Sequence, residues 1–217
     1  CLVKFVRRRT ALPAVLYGLY LVALGLSFRC ASRALKPFVE RSHVAVWKWV
    51  QRLPGFRRVF RTKCRVSLFL LDETAVMVKG LMAWVWVAYE PYSKTTLGFW
   101  LSWSRNSLQA ETFLRTLVEA YGRHPVYTDG APWYGEACAR LGLEHRRYRF
   151  GEWLFQAVER AVQTLKDRTE SFDDHFPCRK KPCILEHVWK WLNLIHIITQ
   201  PETLHLINSI KGVMKMA

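Results

Sequence analysis

The 217-residue sequence predicts a mixed α/β protein, a sheet flanked by helices and preceded by a small all-α domain. Three observations carry that expectation. Positive charge is gathered at one end, β-type runs begin only after residue 65 and alternate with amphipathic segments, and single acidic residues stand where strands are expected to stop.

The formal net charge is +16, and 51% of the residues are hydrophobic, enough for a substantial core and too many for a disordered tail. Residues 1–65 hold fifteen Lys/Arg and one acid, Glu40, whereas residues 66–217 hold eighteen Lys/Arg against sixteen acids. The first part is therefore built for a polyanion, nucleic acid or an anionic membrane surface, and the second for something else.

Six cysteines spread through a chain of this size do not suggest a disulfide scaffold. Cys178 and Cys183, with His175 and His187, could supply four zinc ligands, although a disulfide between the two or two ordinary loop thiols is the simpler reading.

The uncharged run Ala11–Phe28 has about the length of a signal peptide or membrane span. Gly18 and Gly25 lower its hydrophobicity, Arg29, Arg33 and Lys36 stand just beyond it, and Pro13 suits the first turn of an ordinary buried helix. The segment after the run favours the helix. Ser27 is positioned to cap a short helix through Leu35, Lys36-Pro37-Phe38 interrupts it, and Ser42 caps a second from Ser42 to Leu53. That is a helix-turn-helix pattern. Val44, Trp47 and Val50 are expected on its inward face, which leaves Arg41, Ser42, His43, Lys48, Gln51 and Arg52 for base edges and phosphates.

Pro54-Gly55 ends this helix, so residues 1–56 are read as the DNA-binding domain and 57–65, with Arg57 and Arg58, as a basic linker. Strands are expected over Val66–Leu71, Ala75–Lys79, Ala83–Tyr89 and Thr95–Trp103. Ser107–Tyr121 reads as a helix, Val126–Thr128 as a short strand, Tyr134–Leu141 as a helix, His145–Phe150 as a strand and Glu152–Arg168 as a long helix.

In that order Asp72 ends the first strand, Asp129 ends the short central strand and Glu159 lies on the last helix, so three carboxylates can meet at one edge. Clustered carboxylates repel one another unless cations join them. Oxygen ligands suit Mg²⁺ or Mn²⁺, and two such ions serve phosphodiester chemistry.

Three segments resemble the DDE transposases of prokaryotic insertion sequences. They are Leu71-Asp72-Glu73-Thr74, Tyr127-Thr128-Asp129-Gly130-Ala131-Pro132-Trp133-Tyr134, and Val158-Glu159-Arg160 with Leu165-Lys166-Asp167-Arg168 beyond it. The resemblance covers roughly Ser27 to Trp191. It implies a ribonuclease-H-like catalytic domain over 66–194 behind a short helix-turn-helix, with Asp72, Asp129 and Glu159 as the metal-binding catalytic triad. It further implies Mg²⁺ or Mn²⁺, two ions per site, double-stranded DNA as partner, and a homodimer or larger assembly on the element ends. Such a protein works in the cytoplasm on the nucleoid, with no membrane role.

Glu73, Glu152, Asp173 and Asp174 become neighbours of the triad, Glu152 being the closest rival to Glu159. Lys166 and Arg168, on the helix of Glu159, become candidate DNA contacts. Trp133 and Tyr134 read first as core or sheet-face aromatics, with stacking on an unpaired base beside Asp129 as the second role open to them. Residues 195–217 depart from the family pattern and the chain begins with Cys1, which together suggest a truncated or frameshifted copy, with a DNA-binding protein lacking catalysis as the alternative function.

Overall fold

A computed structural model describes residues 10–53, 65–78, 80–169, 175–176, 185–199, 205 and 207–208. The chain divides into two compact units, Cys1–Phe56 with Glu186–Ala217, and Arg57–Leu185.

The first unit contains α1 (Leu12–Ala23), α2 (Phe28–Leu35) and α3 (His43–Gln51). Pro13 lies in the first turn of α1, where a missing N–H costs nothing. The apolar run Ala11–Phe28 is thus split between two helices, and among the described residues no helix is long and apolar enough to cross a membrane. Ser27 and Ser42 cap α2 and α3 as expected, accepting from the backbone N–H groups of Cys30 at 3.2 Å and Ala45 at 3.3 Å. Replacing Ser42 with Ala should cost about 1 kcal/mol, read as a lower midpoint in urea with an unchanged slope.

The inward face of α3 differs from the expected Val44, Trp47 and Val50. Val46, Trp49 and Val50 are buried, whereas Val44 and Trp47 are 45% and 44% exposed. Gly18 of α1 supplies the reason. A Cβ there would lie 2.9 Å from the Trp49 ring, so the bare backbone of α1 makes the seat into which Trp49 packs.

The core of this unit, built on Leu16, Leu19, Leu35, Val46 and Trp49, also takes in Leu194, Ile198 and Ile207. Helix α7 (Leu185–Thr199) therefore belongs, from Glu186 onward, with the N-terminal helices. This differs from the sequence expectation, which carries the catalytic domain to residue 194 and sets 195–217 apart. Buried Leu194, Ile195 and Ile198 form a helix face that needs a core, and the helical unit provides one.

In the second unit the strands are β1 (Phe69–Val78), β2 (Leu81–Glu90), β3 (Thr95–Ser102), β4 (Val126–Thr128) and β5 (His145–Arg147). Helices α4 (Ser107–Tyr121), α5 (Pro132–Leu141) and α6 (Trp153–Thr169) alternate with the later strands. The sheet order is β3-β2-β1-β4-β5, with the two-residue β6 (His175–Phe176) also pairing with β1. β1, β2 and β3 are antiparallel, while β4 and β5 continue parallel to β1. This is the mixed, helix-flanked sheet of the ribonuclease-H-like fold.

One expected boundary is corrected. Asp72 does not end a strand, because β1 runs unbroken through Asp72-Glu73-Thr74, paired to Val87, Trp86 and Val85 of β2. The ladder of β2 satisfies the backbone where an acidic pair in isolation signals a turn. Alternation along β1 sends Phe69 and Leu71 into the core under α4 and α5, and Leu68 and Leu70 into the core that includes Leu154, Ala157 and Val158 of α6.

Candidate active site

The register of β1 and β4 sets the site. Phe69 stands beside Val126 and Leu70 beside Tyr127; continuing that offset two positions brings Asp72 level with Asp129. Asp72 shares its face with Leu70, the α6 side, and on α6 Glu159 directly succeeds Val158, which packs there. Asp129 and Glu159 both act electrostatically on Asp72. Burial, the neighbouring Glu73, Asp129 and Glu159 push the Asp72 carboxyl up to about 7, against a backbone N–H from Glu73 at 2.8 Å that favours its charged form.

Asp129 and Glu159 are exposed and Asp72 half-buried, so the group opens to solvent. Among the described residues no three His, Cys, Asp or Glu side chains are already gathered around one ion-sized space. The donors nevertheless suit a hard cation. All are carboxylate oxygens, and Mg²⁺ is held by one or two carboxylates plus water and substrate phosphate rather than by a closed protein cage. A half-buried carboxylate beside like charges favours taking up a proton or a cation, and Asp72 is in that condition.

Behind Asp72, on the opposite face of β1, lies a support that sequence reasoning misses. The Glu73 side chain is only 5% exposed; it accepts the Tyr134 hydroxyl of α5 and pairs with Arg105 at 3.6 Å. Arg105 lies between the rings of Trp84 at 3.9 Å and Trp133 at 4.5 Å. Burial raises the Glu73 carboxyl above the usual range, and the Tyr134 hydrogen bond opposes that rise. Tyr134 is itself buried, which removes it as a base-stacking residue, and Trp133 is covered in part by Arg105. The signal in the sequence is an aromatic five residues after Asp129; the core position expected first of it holds, and its hydroxyl makes it a brace.

The turn after Asp129 is held equally firmly. Gly130 N–H donates to Thr128 Oγ1 at 3.0 Å, Ala131 N–H to Asp129 Oδ1 at 2.9 Å, and Thr128 Oγ1 lies 2.8 Å from His145 Nε2. Gly130 has φ +91°, a conformation open to glycine and strained for other residues.

The remaining expected residues are dispersed. Glu152 has a local role, accepting the Arg149 N–H at 3.0 Å just before α6. Lys166 is exposed on α6; the Arg168 side chain, Arg57, Arg58, Asp173, Asp174, Cys178 and Cys183 lie outside the described residues or side chains. In the helical unit His43, Lys48, Gln51 and Arg52 are exposed on or beside α3 together with Val44 and Trp47, while Ser42 is engaged as a cap. Arg41 has a structural part as well, donating to Thr10 Oγ1 at 2.7 Å and to the Glu40 carbonyl at 2.8 Å.

The mixed sheet flanked by helices has the strand order of a DDE-type domain. Residues 65–182, more than half of the chain, match the family model described as DDE domain (DDE_Tnp_IS240), and the chain belongs to that family. It is also 30% identical over 178 residues to the uncharacterized protein MJ0017 of Methanocaldococcus jannaschii, covering 82% of each. Among solved structures, it is similar to the catalytic core domain of BIV integrase, at 18% identity, covering 68% of this chain and 97% of that one with a TM-score of 0.44. It is also similar to the HTLV-2 integrase catalytic core domain in complex with magnesium, at 15% identity, covering 52% of this chain and 74% of that one with a TM-score of 0.40. The fold assignment rests on the strand order and the family match.

Proposed function

We propose that the chain is a transposase that binds the terminal inverted repeats of an insertion sequence and cuts and joins DNA at Asp72, Asp129 and Glu159. The observation that carries this reading is the β1–β4 register, Phe69 with Val126 and Leu70 with Tyr127, whose offset continued past the end of β4 runs to Asp72 and Asp129. The coupling of Asp129 and Glu159 to the Asp72 carboxyl adds support.

Mg²⁺ or Mn²⁺, two ions per site, would be held by these carboxylates and would supply the positive charge that activates an attacking oxygen and stabilises a leaving one. Asp72, backed by β2 and the Glu73 brace, is a rigid member. Asp129, exposed but held by the turn at Gly130, is fixed as well, and exposed Glu159 on α6 adjusts around substrate. In the first step a water oxygen bonds to phosphorus as the 3′-oxygen leaves, giving a 3′-hydroxyl on the element end. In the second, that hydroxyl oxygen bonds to a target phosphorus and the target 3′-oxygen leaves. Neither step needs a covalent bond to the protein.

Helices α2 and α3 carry the recognition of the repeats, with His43, Lys48, Gln51 and Arg52 facing DNA and Arg57, Arg58, Lys166 and Arg168 adding phosphate contacts. Holding two ends at once calls for a dimer or a larger assembly, working in the cytoplasm on the nucleoid. The test is metal-dependent cleavage and strand transfer on labelled duplexes from the boundaries of the encoding element, with Glu159→Gln as the comparison at matched DNA affinity. Products from the wild type alone support the reading. Binding without products from either protein would instead make this a DNA-binding protein without catalysis.

A further inference from the structure

The edge strand β5 contributes His145-Arg146-Arg147, and Arg147 has no part in the triad, the brace or the recognition helices. We propose that Arg147 is a phosphate-binding residue that seats a DNA phosphodiester next to Asp129, a refinement that rests on the transposase reading. Its Nη2 donates to the Gly130 carbonyl at 2.8 Å. The guanidinium lies so closely over that glycine that a Cβ would be 2.1 Å from Nε. Gly130 directly succeeds Asp129, and its N–H is tied through Thr128 Oγ1 to His145 of the same strand β5. One turn therefore fixes both the acid and the guanidinium.

The charge is held near Asp129 without being spent on it. Asp129 and Arg147 both act on the His145 ring, yet Arg147 is in no ion pair among the described residues. Neighbouring Arg146 differs, being paired with Glu144 at 2.5 Å and set 5.8 Å from the Tyr127 ring centre. Arg147 is exposed, and with one N–H committed to Gly130 its remaining donors can meet a phosphate. An acidic site must also attract an anionic substrate. A fixed guanidinium at its rim lowers that repulsion, and the rigid fork loses little freedom on binding.

The experiment uses the full chain and boundary duplexes in which single phosphates are replaced, one at a time, by neutral methylphosphonates. Binding is measured in Ca²⁺ and cleavage in Mg²⁺. Arg147→Ala should weaken binding about ten- to a hundredfold and lower the salt slope by about one. Its loss should vanish on the duplex whose neutral phosphate lies at or beside the cut, while sensitivity to every other replacement persists. Arg147→Gln keeps a donor for the Gly130 carbonyl and should behave as Ala does, which separates charge from turn geometry; Arg115→Ala, at an exposed position of α4, should match the wild type. If both Arg147 variants lose affinity by the same factor on every duplex, or lose none, the assignment is overturned while the transposase reading stands. A wild type that neither binds nor cuts the boundary duplexes overturns that reading and this assignment together.

Discussion

Replacing Asp72 with Asn should make the metal-free protein more stable above pH 7 while abolishing its DNA cleavage. The Asp72 carboxyl, pushed up to about 7 from an ordinary value near 3.8, stays protonated in the fold where the unfolded chain has already lost the proton. Between those values the native state binds more protons, so the contribution of Asp72 to stability falls as pH rises from about 4 to about 7 and remains low above that. A shift of this size corresponds to a few kcal/mol. Asn carries no such charge and retains an oxygen for the Glu73 N–H, so it escapes the penalty.

His145 and His196 work in the opposite direction, since burial lowers both in the fold and favours the native state as pH rises toward their ordinary values. The difference between wild type and Asp72→Asn, measured by urea unfolding from pH 4 to 8, isolates Asp72. Adding Mg²⁺ at pH 8 should close most of the gap by stabilising the wild type alone. Cleavage should fall by about a thousandfold or more, the factor that several kcal/mol of lost charge stabilisation represents. A variant less stable than wild type throughout would show that Asp72 is not held under strain, and the case for a cation there would weaken.

Tyr134→Phe should be the most damaging conservative change in the sheet domain. It removes one hydroxyl from a position that is 1% exposed and takes a donor from the buried Glu73 carboxylate. Losing a charge-assisted partner in a buried place costs about 2–3 kcal/mol. Because Glu73 adjoins Asp72 on β1 and the chain runs from Asp129 into α5 and Tyr134, the loss should also loosen the two acids relative to each other, raising the Mn²⁺ concentration needed for half-saturation severalfold. Mn²⁺ titration by electron paramagnetic resonance, on folded variant well below its midpoint, separates the effects. Lower stability with unaltered Mn²⁺ affinity would confine the brace to folding.

Local chemistry wrote much of this architecture into the sequence. Ser27 and Ser42 announce two helices because a hydroxyl can satisfy an N–H that the first turn leaves open, and both act as that argument requires. The helix Ser107–Tyr121 and the strand Val126–Thr128 have the bounds the sequence predicts because apolar spacing and flanking turns agree there. Asp72, Asp129 and Glu159 are legible as candidates, since acids beside apolar runs in a basic chain are conspicuous.

Tertiary structure alone decided what stands next to what. The stretch Val44-Ala45-Val46-Trp47-Lys48-Trp49-Val50 offers two overlapping apolar stripes, and only the seat at Gly18 selects Trp49 over Trp47. The acidic pair Asp72-Glu73 reads as a strand end until β2 supplies a ladder through it. Glu73, Tyr134 and Arg105 are far apart in sequence, as are Gly130 and Arg147, and no period or cap links them. Short-range rules set the elements because a backbone group must find its partner within a few residues or in a repeating ladder. The brace behind Asp72 and the guanidinium over Gly130 depend on the register between strands, which the chain fixes only when its cores close.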